Sequence, residues 1–177
     1  DGASKLSGIS LTVVSQDLSQ TKLKGPWSVA EIEQFLSSTV FPLRLGCVGA
    51  DGYPRVVSVW FHYAMGQLFC VTHRDSHLLK LLRGNSRVGF EVAPNEPPYH
   101  GVRGQGEAAL ASVGGDHMLE ELLQRYLGGV ESGLANWLLS RKDEETLVTI
   151  SPTRLFSWDY RSRMDDIAST GSAGNGG

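Results

Sequence analysis

The spacing of apolar residues changes along the chain, and each change predicts an element. In SVAEIEQFLSS (28–38), Ile32, Phe35 and Leu36 recur at helical spacing, and Ser28 and Glu31 stand as the two halves of a capping box. A helix is therefore predicted there, with Trp27 ahead of it as a packing staple. The period then drops to two. Leu43, Leu45 and Cys47 alternate with their neighbours, and Val57, Val59 and Phe61 alternate with Ser58, Trp60 and His62. Ala50-Asp51-Gly52 between them is a tight-turn signal, so the two runs are expected to pair antiparallel. AMGQ (64–67) predicts the next turn and LFCVTH (68–73) the third strand.

The helical period returns in DSHLLKLLRGN. Asp75 or Ser76 caps this stretch, Leu78, Leu79, Leu81 and Leu82 face inward, and Gly84-Asn85 ends it. SRVGFEVA reads as strand four, NEPPYH as a proline-broken loop, and GVRGQGEAALASV as a fifth strand bent at its glycines. GDHMLEELLQRYLGG and LANWLLSR read as helices, and ETLVTISP and TRLFSWDYRSRM as strands six and seven. The expectation is a mainly β protein: a barrel of six to seven antiparallel strands decorated by short helices. Residues 1–25, rich in Ser, Thr, Lys and Gly, form an N-terminal arm or one short strand (ISLTVV). Residues 26–164 form the domain, and 165–177 a disordered Gly/Ser-rich tail.

Composition narrows the function. The 177 residues suffice for one domain with a core, and a net charge of −3 argues against a dedicated nucleic-acid binder. No apolar run reaches the roughly 18 residues a membrane span requires, and no signal-like segment opens the sequence. Cys47 and Cys70 sit in apolar strand runs and read as buried thiols of a reducing, cytoplasmic environment. No spacing of Cys, His and Glu predicts a metal site, and the phosphate-loop, nucleophile-elbow and dinucleotide fingerprints are absent.

The chemistry gathers after the third strand. Thr72 supplies a hydroxyl, a helix start supplies free N–H groups, and Arg74, His77 and Lys80 supply donors or charge. His77 and Lys80 share a helix face, and Arg55 on the neighbouring hairpin is placed to reach them. Together these form a candidate phosphate cradle. His62, His100 and His117 read as structural or exposed, and Trp60 and Trp158 as core or interface residues.

The succession RLGCVGADGYPRVVSVWFHY, QLFCVTHRDSHLLKLLRGNSRVGFEV, VRGQGEAAL and ISPTRLFSWDYRSRM resembles the pyridoxamine 5′-phosphate oxidase-like, FMN-binding split-barrel superfamily. The likeness covers roughly residues 28–164 and lies in order and spacing more than in one motif. It implies a homodimer of split β-barrels with the flavin between protomers. By position, Arg55 matches a phosphate-binding arginine, and the backbone of Val57, Ser58 and Val59 would follow the flavin ring. Val71-Thr72 matches an aromatic-Thr pair, Ser76-His77-Leu78 a Ser-Arg-Lys phosphate run, and Trp158 a tryptophan near the end of the domain. Arg161 or Arg163 falls towards the substrate side.

The sequence also departs from the family pattern. Leu78 stands for the phosphate lysine, His77 for its arginine, Trp60 for a strand lysine and Gly101 for a flavin-touching glutamine, and RSRM replaces a terminal Arg-x-His. Lys80 or Arg74 would supply the missing charge. The resemblance therefore implies an FMN-dependent oxidoreductase for a small conjugated substrate, with no catalytic side chain assigned, rather than a vitamin B6 oxidase. The alternatives are a deazaflavin-dependent reductase on the same scaffold, or a haem-binding or non-catalytic flavin-binding protein in which His62, His77 or His100 would be the feature of interest.

Overall fold

The structure is a computed structural model describing residues 18–165, so ISLTVV and the tail from residue 166 lie outside the described residues. A 3-10 turn at Leu18–Gln20 leads to β1 (Lys22–Lys24), and α1 (Val29–Ser38) follows. The capping box forms: Ser28 Oγ accepts the Glu31 N–H at 3.3 Å, and Glu31 Oε2 accepts the Ser28 N–H at 2.7 Å. Ile32 and Leu36 are fully buried, and Trp27 packs against Phe35 with ring centroids 5.1 Å apart.

β2 (Leu43–Val48) and β3 (Pro54–Val59) form the expected hairpin, with Leu43 opposite Val59 and Cys47 opposite Arg55. Its tip closes through the Gly52 N–H on the Gly49 carbonyl at 2.9 Å, with Gly52 at φ +80°. The second strand is shorter than the alternation predicts. It stops at Val59, and the chain resumes as β4 (His62–Ala64), which pairs with β5 (Gln67–His73). Phe61 is fully buried and gives its N–H to Tyr126 Oη at 3.2 Å, a tertiary bond in place of a ladder bond. Met65 and Gly66 connect β4 to β5 with φ of +50° and +73°, the two positive angles of a type I′ turn.

Ser76 caps α2 (His77–Gly84), its Oγ accepting the Leu79 N–H at 3.1 Å. Then come β6 (Arg87–Val92), β7 (His100–Ala111), α3 (Gly115–Leu127), α4 (Gly133–Leu139), a 3-10 turn at Lys142–Glu144, and β8 (Glu145–Asp159). The expected strands six and seven are therefore one strand. Pro152 does not break it, because β7 covers one edge with a register shift at Gln105/Gly106. On the other edge β5 faces residues 145–150 and the parallel β1 faces 154–156. Pro152 falls in the interval where neither needs its missing N–H.

The strand order is β3-β2-β6-β7-β8-β5-β4, with β1 added beside β8. β3 and β4 end this path, yet only Trp60 and Phe61 join them, so their ends lie within about 11 Å. The sheet has curled into a barrel split at that seam. Its interior holds Leu45, Cys47, Phe61, Cys70, Phe90, Val148, Ile150 and Leu155, with Leu18 and the inner face of α1 packed on the same core. Both cysteines are free and buried, and burial pushes the Cys70 thiol up to about 12. A smaller cluster joins Leu119 and Leu123 of α3 and Ala135 of α4 to Trp60 and Val71. No helix among the described residues is long and apolar enough to cross a membrane.

Candidate functional site

A cleft of about 600 Å³ opens between the β2–β3 hairpin tip and one face of α2. Val48, Asp51, Arg55, His77, Lys80 and Leu81 are among its lining residues. The alternating pattern that forms β3 presents Arg55, and the three-residue spacing on α2 brings His77 and Lys80 to the same side. The structure thus unites three of the five side chains that the sequence places in a phosphate cradle, Arg55, His77 and Lys80, and leaves out Thr72 and Arg74. Leu78, at the position expected to carry a lysine, is only 8% exposed and belongs to the core. A cation there would be buried, whereas Lys80 is exposed at the cleft.

Arg55 is not isolated. Its Nη2 donates to Asp51 Oδ2 at 2.7 Å and its Nη1 to the Tyr53 carbonyl at 2.9 Å. The bond from Arg55 and that from the Tyr53 N–H hold the Asp51 carboxyl below its ordinary range. Asp51 reads in the sequence only as a turn residue. The signal for its second role is an acid four residues ahead of an arginine across a tight hairpin.

Other predicted residues lie elsewhere. Thr72 Oγ1 donates to Ser76 Oγ at 2.8 Å, so both hydroxyls serve the helix cap and neither lines the cleft. His73 and Arg74 turn to Glu144, at 2.8 Å and 3.3 Å, which draws the Glu144 carboxyl below its usual range chiefly through the His73 bond. Arg74 is thereby committed away from the cradle. Trp60 stacks on Tyr126, with ring centroids 5.1 Å apart and planes 8° from parallel, and Val71 packs in the same helical cluster. Val57 and Val59 pack on the core, while Ser58 is exposed. These three lie on β3, which has no strand beyond it among the described residues. Trp158 lies opposite Gly101 on β8, where an added Cβ at Gly101 would stand 2.9 Å from the indole. The Arg103 guanidinium is 4.6 Å from the Phe156 ring centroid and 5.9 Å from that of Trp158.

A second groove, about 420 Å³, runs between α1 and the start of β7, lined by Trp27, Gln34, Phe35, His100 and Arg161. His100 Nδ1 lies 2.8 Å from the Pro98 carbonyl, which only accepts, so that nitrogen carries the proton. Asp159 accepts from Trp27 Nε1 at 3.1 Å and from Arg161 Nε at 2.9 Å. Arg161 is the main cause that holds the Asp159 carboxyl far below its usual range. A carboxyl depressed in this way stabilises the fold above its unfolded pKa of about 3.9, and that contribution fades as pH falls through the lower folded value. Asp159→Asn should therefore lose about 1 kcal/mol at pH 7. The gap to wild type should narrow in thermal melts run steadily below pH 4, and a constant gap would contradict the assignment.

No family model and no curated protein matches the sequence. Solved structures do. A conserved hypothetical protein from Mycobacterium tuberculosis is 24% identical at a TM-score of 0.67, covering 78% of this chain and 89% of its own. An F420 reductase is 22% identical at 0.55, covering 69% and 94%. An FAD-binding protein from Mesorhizobium loti is 21% identical at 0.54, covering 74% and 93%. The common architecture is a split β-barrel, and this chain has that fold. Among the described residues no group of His, Cys, Asp and Glu is arranged to hold a metal ion.

Proposed function

We propose that the Arg55–His77–Lys80 cleft takes the phosphate end of FMN, and that the protein is a flavin-dependent oxidoreductase for a small conjugated substrate. The observation that carries this is the convergence of cationic and imidazole side chains from β3 and α2 on one cleft of about 600 Å³. Three donor side chains and a flank of Val48 and Leu81 suit a phosphate followed by an apolar body. When bound, the flavin would supply hydride transfer. The chain's part is to hold the phosphate and to offer the backbone of Val57–Val59, on the outer strand, to the ring edge. No side chain is assigned as acid or base. The F420 reductase on the same fold favours a deazaflavin as the second reading.

The site belongs, in this proposal, to a homodimer. On the outer face of the barrel Val56 is 71% exposed and Val48 40%, beside the side-chain-free pair Gly46 and Gly89. Val48 also borders the cleft, so a second copy seated on this face would stand next to the ligand. The test is an absorption spectrum of the purified protein, mass spectrometry of what denaturation releases, and light scattering. Oxidised-flavin bands, released FMN and twice the chain mass are expected. A shorter-wavelength deazaflavin band selects the second reading, and a colourless monomer that binds no added FMN overturns both.

A further inference from the structure

We propose that Asp51 is a built-in rival of the ligand: its carboxylate holds the Arg55 fork that the incoming phosphate must take. This rests on the reading of the cleft as a phosphate site. Asp51 is gripped at both oxygens, Oδ2 by Arg55 Nη2 at 2.7 Å and Oδ1 by the Tyr53 N–H at 3.1 Å. Arg55 Nη1 is spent on the Tyr53 carbonyl at 2.9 Å. The arginine is therefore folded back on its own hairpin, and the acid that holds it lines the cleft alongside Lys80.

The pair is built to exchange partners. Its side chains are 38% and 52% exposed, so water and salt weaken it and a dianionic phosphate can displace the carboxylate. Gly49 is part of the device. A Cβ on it would stand 2.7 Å from Asp51 Oδ1 and 3.5 Å from Arg55 Nη1, so only glycine lets the acid sit where it does. Asp51 thus lowers affinity for phosphate-bearing ligands while keeping Arg55 oriented, which favours release over retention.

The experiment compares wild type, Asp51→Asn, Gly49→Ala and Asp51→Asn combined with Arg55→Ala. Flavin fluorescence titrations use FMN and riboflavin, and phenylglyoxal labelling of the Arg55 peptide is followed by mass spectrometry. Asp51→Asn should tighten FMN about fivefold and leave riboflavin unchanged. Gly49→Ala should act in the same direction, and the gain should vanish without Arg55. Measured on flavin-free protein, labelling of Arg55 should accelerate in both single variants. Unchanged labelling overturns the proposal, as does weaker or unchanged FMN binding in Asp51→Asn where wild type binds FMN. If no variant binds FMN yet labelling still accelerates, the cofactor assignment fails while the competition for Arg55 stands.

Discussion

Replacing Arg55 and Lys80 together with alanine should weaken FMN binding at least a hundredfold and leave the fold intact. A hydrogen bond to a charged group contributes about 1.5–3 kcal/mol, so two lost contacts amount to about 3 kcal/mol or more. The residues sit on different elements and share no bond between them, so each single exchange should cost roughly tenfold and the two should add. Lys80 is exposed, and the half-buried Arg55 loses only a solvent-accessible pair with Asp51 and one bond to the Tyr53 carbonyl, so the stability cost should stay at about 1 kcal/mol. Fluorescence titration against ionic strength separates the outcomes. The wild-type affinity should fall with added salt and that of the double variant should barely move. Unaltered FMN affinity in the double variant would remove the cleft from the cofactor's path.

The second large effect is on stability. Arg125 reaches from α3 to the end of α1, donating to the carbonyls of Ser37 and Leu36 at 2.7 Å each and also to that of Thr39. These groups have no partner within the helix, and a cation at a helix C-terminus also meets a favourable dipole. The guanidinium lies 5.0 Å from the centroid of the buried Phe61 ring, which adds a cation–π contribution. Arg125→Met should cost about 3 kcal/mol, or roughly 6–12 °C in melting temperature for a chain of this size. Arg125→Lys should recover only part, since a single ammonium cannot span three carbonyls. A loss under about 1 kcal/mol in calorimetry would show that α1 closes without this residue.

What could be read from the sequence was mostly local. The capping box at Ser28 and Glu31, the Met65-Gly66 turn and the leucine face of α2 each depend on residues a few positions apart, and each formed. The misreadings came from distant partners. The alternation that runs through Val57, Val59 and Phe61 conceals the break at Trp60, because the Phe61 N–H finds its acceptor in the distant Tyr126 hydroxyl instead of a ladder carbonyl. Pro152 looks like the end of a strand, and only the spacing of β5 and β1 along β8 shows why it is accommodated. The site divides in the same way. Arg55, His77 and Lys80 follow from strand and helix periodicity, whereas Arg74 is drawn off by Glu144, seventy residues later.

The position of β8 has a consequence for how the chain is made. It is the last strand in chain order among the described residues, yet it lies inside the sheet, bonded to β7 on one side and to β5 and β1 on the other. During synthesis those three partners leave the ribosome first, with open edges and nothing to join them. A nascent chain halted before Glu145 would not be a smaller barrel. It would be two sheets with no ladder between them, β3-β2-β6-β7 and β5-β4, linked along the chain through Trp60-Phe61 and through α2, whose apolar faces await a single missing stave.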